Sequence, residues 1–119
     1  MSTIKADTIV AADGSSPVTL TKQSAAKAWV DANGSAVLSG SFAISSGTDN
    51  ATGDYSYTFS NAFTDVHFAQ QSTSGSSSPT HGAVSNDVGR TTSVMRIETS
   101  DNTTNADKKH AITVHGDLA

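Results

Sequence analysis

Cysteine is absent from the 119 residues. That excludes a disulfide framework and a thiolate metal site, so a small domain must be held by packing or assembly. Basic residues are few: the 7 Lys and Arg are scattered, and the charge cluster that grips a phosphate backbone is missing, which predicts no nucleic-acid partner. No run approaches the roughly 18 consecutive apolar residues of a membrane span. The N-terminus also lacks the charged start and apolar run of a signal peptide, so no membrane insertion is expected. Large apolar side chains are scarce too. Leu, Ile, Val and Phe make up roughly 18% of the chain, near the level at which sequences become disordered. Charge argues the other way, because only 15% of residues are charged and the formal net charge is −4, too little for self-repulsion to expand the chain. The length suits one domain with a thin core, and oligomerisation is the natural remedy. Composition alone allows a dimer as readily as a trimer.

What is present is concentrated in Lys27 to Phe59, KAWVDANGSAVLSGSFAISSGTDNATGDYSYTF, which holds the only Trp, both Tyr and two of the four Phe. Apolar and polar residues alternate there with the period of half-buried strands, Phe42 with Ile44 on one face and Tyr55, Tyr57 and Phe59 on another. Trp29, Phe42, Ile44, Tyr55, Tyr57, Phe59 and Phe68 are therefore the expected core or subunit interface. The spacing predicts strands at 27–32, 36–39, 42–46 and 55–59. A turn at Asn33-Gly34, a reversal at Gly40-Ser41 and a polar connection over 47–54 join them. Beyond Phe59, a loop at 61–65 precedes alternation through Val66 and Phe68. STSGSSSPT (72–80) reads as a surface loop. Short strands follow at 82–85, 93–98 and 110–115, with Met95 and Ile97 on one face, Ile112 and Val114 on another, and a polar loop over 99–109. The parity of these strands gathers the connections near 33–35, 47–54, 72–81 and 99–109 at one end. The fold class expected is an all-β antiparallel β-sandwich or jelly-roll-like domain over 27–119, preceded by an extended N-terminal segment over 1–26.

Chemistry is sparse. His110 and His115 are five apart and fall on opposite faces of a strand, and His67 and His81 lie elsewhere, which argues for solvent-facing or hydrogen-bonded imidazoles rather than metal ligands. Asp49, Asn50 and Asp54 surround Gly53 without the alternating acidic ligands of a calcium loop, so a self-stabilised turn is the better reading. Glu98, the only Glu, pairs most naturally with Arg96 on a solvent-facing strand or subunit contact. A nucleophile elbow, a carboxylate pair and a phosphate-binding Gly loop are all missing. The expectation is that the protein is not an enzyme and uses no cofactor.

KAWVDANGS, followed by TDNATGDYSYTF, resembles a segment of small fibre proteins of tailed bacteriophages, in which KAWVNFNGT-like and TDNGTGDYT-like strings recur at similar separation. The opening Ser2 to Ile9 resembles the start of those proteins as well. The matched motifs reach to about Phe59. The chain departs from the family string at Asp31-Ala32, where an Asn and an aromatic residue are usual, and this bears on the packing around Trp29. The resemblance implies a virion structural protein, a short tail fibre or appendage assembled as a homotrimer. It would be made in the host cytoplasm and act in host recognition by multivalent adhesion to a host-surface glycan. It further implies attachment to another virion protein through Ile4, Ile9 and Val10, with receptor-facing loops carrying Asn33, Asp49, Asn50, Ser76, Ser77, Asn102 and Asn105. A capsid or neck decoration protein without receptor binding is the alternative. A free carbohydrate-binding module is a third, and would require an exposed aromatic platform.

Overall fold

A computed structural model describes residues 26–75 and 81–119. Among the described residues nine strands follow one another: β1 (Ala28–Ala32), β2 (Leu38–Phe42), β3 (Ile44–Ala51), β4 (Asp54–Phe59), β5 (Ala69–Gly75), β6 (His81–Ser85), β7 (Val94–Asp101), β8 (Thr104–Asn105) and β9 (Lys109–His115). The described residues contain no helix. A first antiparallel sheet has the order β2-β1-β9-β5, and a second has the order β3-β4-β7-β6 with β8 added to β7. The all-β expectation holds, and the two sheets face each other across one core.

Alternation decides what enters that core. From the first sheet, Ala28, Val30 and Ala32 of β1 and His110, Ile112 and Val114 of β9 point inward; from the second, Tyr55, Tyr57 and Phe59 of β4 and Met95, Ile97 and Thr99 of β7 meet them. The small residues of β1 leave room for the two Tyr rings. Tyr55 stacks on His110 with ring centroids 4.5 Å apart, and the Tyr57 hydroxyl lies 2.6 Å from His110 Nε2, so one imidazole joins the two sheets. At the other end Phe59, Phe63 and Phe68 form an aromatic cluster with centroid spacings of 4.8 to 5.3 Å, Phe59 meeting the other two rings edge-on. Phe63, expected in a loop, is buried because 60–68 folds back over the open end of the core, with the Phe63 N–H donating to the Thr92 carbonyl at 2.8 Å.

Several expected boundaries shift. Trp29 and Phe42 do not join the core: they lie on the outer face of the first sheet, 41% and 58% exposed, because Ala28, Val30 and Ala32 occupy the inward positions of β1. Ile44 is partly buried against the core, and Tyr55, Tyr57, Phe59 and Phe68 are buried as expected. Gly40-Ser41 does not reverse the chain. The reversal comes at Ala43, which takes φ 55 and carries the chain from the first sheet to the second. The expected connection over 47–54 shrinks to Thr52-Gly53, because β3 pairs with β4 as far as Ala51. An edge strand tolerates Asp49 and Asn50 because one side faces water, and two register shifts along β3 take up the irregularity. Likewise β5 continues through Ser72, Thr73, Ser74 and Gly75 by pairing with β9, and Thr99 to Asp101 belong to β7. Arg96 does not pair with Glu98; it bonds Asp54, while Glu98 accepts from Asn86 at 2.7 Å.

The expected parity is correct. The turn 33–37, the turn at Thr52-Gly53 and the loop 102–108 meet at one end, and β5 ends and β6 begins there, opposite Lys109 and Asp101. The chain enters at the other end, where the Lys27 N–H donates to the Val114 carbonyl at 2.7 Å. Ile4, Ile9, Val10, Ser76 and Ser77 lie outside the described residues.

Candidate functional site

The end that gathers the turns is tied together by Asp107. Its Oδ1 accepts the Gly53 N–H at 2.6 Å, and the Tyr55 hydroxyl stands 3.1 Å from the same oxygen and 3.2 Å from the Gly34 carbonyl. Burial, with the Asp107 carboxylate beside it, pushes the Tyr55 phenol above its ordinary pKa, so it is a hydrogen-bond donor here. Gly53 has φ 68, and a Cβ there would stand 2.4 Å from the Thr99 carbonyl oxygen, so only glycine fits this turn. Of the expected receptor-facing residues, Asn33 bonds its own turn, its Oδ1 accepting from the Ser35 and Val37 N–H groups at 2.9 and 3.0 Å. Asn50 lies on β3 and donates to Ser56 Oγ at 2.8 Å, and Asp49 lies beside it on the same strand. Asn102, at φ 58, and Asn105 are exposed at this end. The structure thus brings Asn33, Asn102 and Asn105 to one end while giving Asn33 and Asn50 structural bonds.

The outer face of the first sheet is different in kind. Cross-strand register aligns Phe42, Trp29, Thr113 and Gln71 in one row across all four strands, and Gly40, Asp31, Ala111 and Thr73 in the next. Gly40 lets the indole lie close to the sheet: a Cβ there would stand 3.3 Å from both Cζ3 and Cη2 of Trp29. Thr113, Gln71 and Thr73 are exposed, and among the described residues their side chains have no hydrogen-bond partner. The only carboxylate and ammonium within these four strands, Asp31 and Lys109, lie 3.2 Å apart and neutralise each other. Composition hides this surface, since Thr113 and Gln71 sit in the second half of the chain. Ala28, Val30 and Ala32 take the inner face of β1, and alternation then turns Trp29 outward.

The outer face of the second sheet is internally bonded. Arg96 holds Asp54 through two bonds, Nε to Oδ1 at 2.7 Å and Nη2 to Oδ2, and its Nη1 reaches the Val88 carbonyl at 3.1 Å. The Arg96 guanidinium holds the Asp54 carboxyl below the usual carboxylate range. Between the sheets, His110 Nδ1 lies 2.8 Å from the Lys108 carbonyl, which can only accept, so Nδ1 carries the proton and Nε2 accepts from the Tyr57 hydroxyl. Burial pushes His110 below its ordinary value and Tyr57 above its own, which keeps both neutral. His110 is thus a hydrogen-bonded core residue, and among the described residues no group of three or more His, Asp or Glu is arranged to hold a metal ion.

At the entry end Arg90 covers the Phe68 ring, 3.9 Å from its centroid, and donates to the Phe68 carbonyl. With Val66, His67 and Asp87 it lines a shallow cleft. Comparison with family models, with curated proteins and with solved structures finds no match to this chain.

Proposed function

We propose that the protein is a virion structural component of a tailed phage, a short fibre or appendage that works as a homotrimer in adhesion to the host surface. The observation that supports this reading most is the polarity of the domain. The chain enters β1 at one end, beside the C-terminal residues, while the turns 33–37, 52–53 and 102–108 gather at the other. A segment preceding residue 26 can therefore bind another virion protein without obstructing the far end. The likeness of KAWVDANGS and TDNATGDYSYTF to phage fibre strings points the same way. A thin core, in which Gln70, Ser72 and Ser74 of β5 bring polar groups toward β6 and β7, suits a subunit that gains stability from neighbours.

Light scattering coupled to size exclusion tests the assembly. Full-length protein and a form lacking residues 1–26 are both expected at the mass of a trimer, and a folded monomer in both cases sinks the fibre reading. Antibody labelling of particles separates a tail appendage from a capsid or neck decoration, since the two differ in where the protein sits.

A further inference from the structure

We propose that the outer face of the first sheet binds a neutral saccharide, with Trp29 and Phe42 stacking on sugar rings and Thr113, Gln71 and Thr73 hydrogen-bonding their hydroxyls. A pyranose has an apolar C–H face and a polar rim, and this surface presents the complement of both. Trp29 and Phe42 are cross-strand partners on one face, partly exposed, with the indole held low over Gly40. Thr113 faces Trp29 on the next strand, and Gln71 faces Thr113 on the strand after that. At about 4.8 Å per strand the row spans about 14 Å, enough for an oligosaccharide rather than a single ring.

Area and charge choose between occupants. At 150–250 Å² per aromatic side chain, the exposed parts of these two rings offer on the order of 200 Å² of apolar surface. A standard protein interface buries about 800 Å² on each partner. Around the rings the face carries Thr113, Gln71, Thr73, Asp31, Lys109 and His115 with small Ala and Gly between them, so a second copy of the chain would find little apolar surface there. Asp31 and Lys109 neutralise each other at 3.2 Å, so the strands of this face carry no cluster of like charge to hold a polyanion or a polycation, and they suit an uncharged glycan. The assignment moves the sugar contact from the end loops to the flank. It rests on the adhesion reading for its biological setting only, because binding in solution needs no particle.

Trp29 is the only tryptophan, so its emission reports on this surface alone. Titration of the full-length protein with maltohexaose, cellohexaose and N-acetylchitohexaose is expected to give a saturable emission change with at least one of them. The same sugar should protect against acrylamide quenching. By calorimetry, Trp29→Ala is expected to weaken that binding roughly tenfold or more. Its oligomeric mass should be unchanged. Gly40→Val keeps the fluorophore but sets a side chain beneath the indole, and should weaken binding as well. A flat response to all three sugars, or wild-type binding by Trp29→Ala, overturns the proposal. Loss of oligomeric mass in Trp29→Ala would make a second copy the occupant and overturn it too. A folded monomer that binds the sugar would sink the fibre reading alone, whereas a particle-bound trimer indifferent to all three sugars would sink this one alone.

Discussion

The two outer faces of the domain use their polar groups in opposite ways. On the second sheet, Asn50, Asp54, Ser56, Arg96, Asn86 and Glu98 bond one another and the Val88 carbonyl, so the face fastens its own strands. On the first, Thr113, Gln71 and Thr73 have no side-chain partner among the described residues, and two aromatic rings stand beside them partly exposed. The comparison separates two roles that the composition of a strand leaves mixed. Side chains that satisfy one another rigidify a sheet, whereas side chains left facing water beside an apolar ring are available to a ligand.

Acid should break the contrast most strongly. The folded-state pKa of His110 lies below its ordinary 6.5, so the unfolded chain binds a proton first and stability declines as pH falls below that value. Asp54 lies below its ordinary 3.8, so its contribution is complete above that pH and is lost as pH falls through the folded value. The thermal midpoint should therefore fall in two stages on acidification, one beginning below pH 6.5 and one beginning below pH 3.8. His110→Gln should flatten the upper stage and Asp54→Asn the lower one, and a profile unchanged in both variants would contradict the assignments.

A single substitution on the bonded face comes next. Asp54→Ala leaves Arg96 without its carboxylate and should cost about 1.5 kcal/mol in urea unfolding, a value kept low because the guanidinium has access to water. Sugar binding on the opposite sheet should be unaffected. Smallest of all is the effect on stability of changing the open face: Phe42→Ser should shift stability by no more than about 0.5 kcal/mol. A large loss there would mean that Phe42 is packed against something in solution, and the two faces would no longer differ in kind.

Much of the fold is legible in the strand period. Tyr55, Tyr57 and Phe59 share an inward face, as do Met95 with Ile97 and Ile112 with Val114, because alternation reports which residues lie together. Counting reversals also brings the turns to one end. The failures are of two sorts. Asp49, Asn50, Ser72 and Ser74 carry turn and loop chemistry in isolation, but seven or more residues of cross-strand pairing on edge strands override those local preferences. Trp29 differs for another reason: its place in an alternating strand fits a core or an interface equally, and with Ala28, Val30 and Ala32 turned inward it stands on the outer face instead of in the core of the subunit.

By itself the sequence determined that the chain forms antiparallel strands, which residues of each strand share a side, and that disulfides have no part in holding them. Only the tertiary structure decided which side faces the other sheet. The reason is geometric: a period of two leaves a strand free to bury either face, and the choice depends on what the opposite sheet presents. Two Tyr rings and an imidazole on the inside required small residues on β1, and the same choice turned Trp29 outward. The Asp54–Arg96 pair, the His110–Tyr57 bond and the row from Phe42 to Gln71 join residues far apart in the chain, and only strand order and register bring them together.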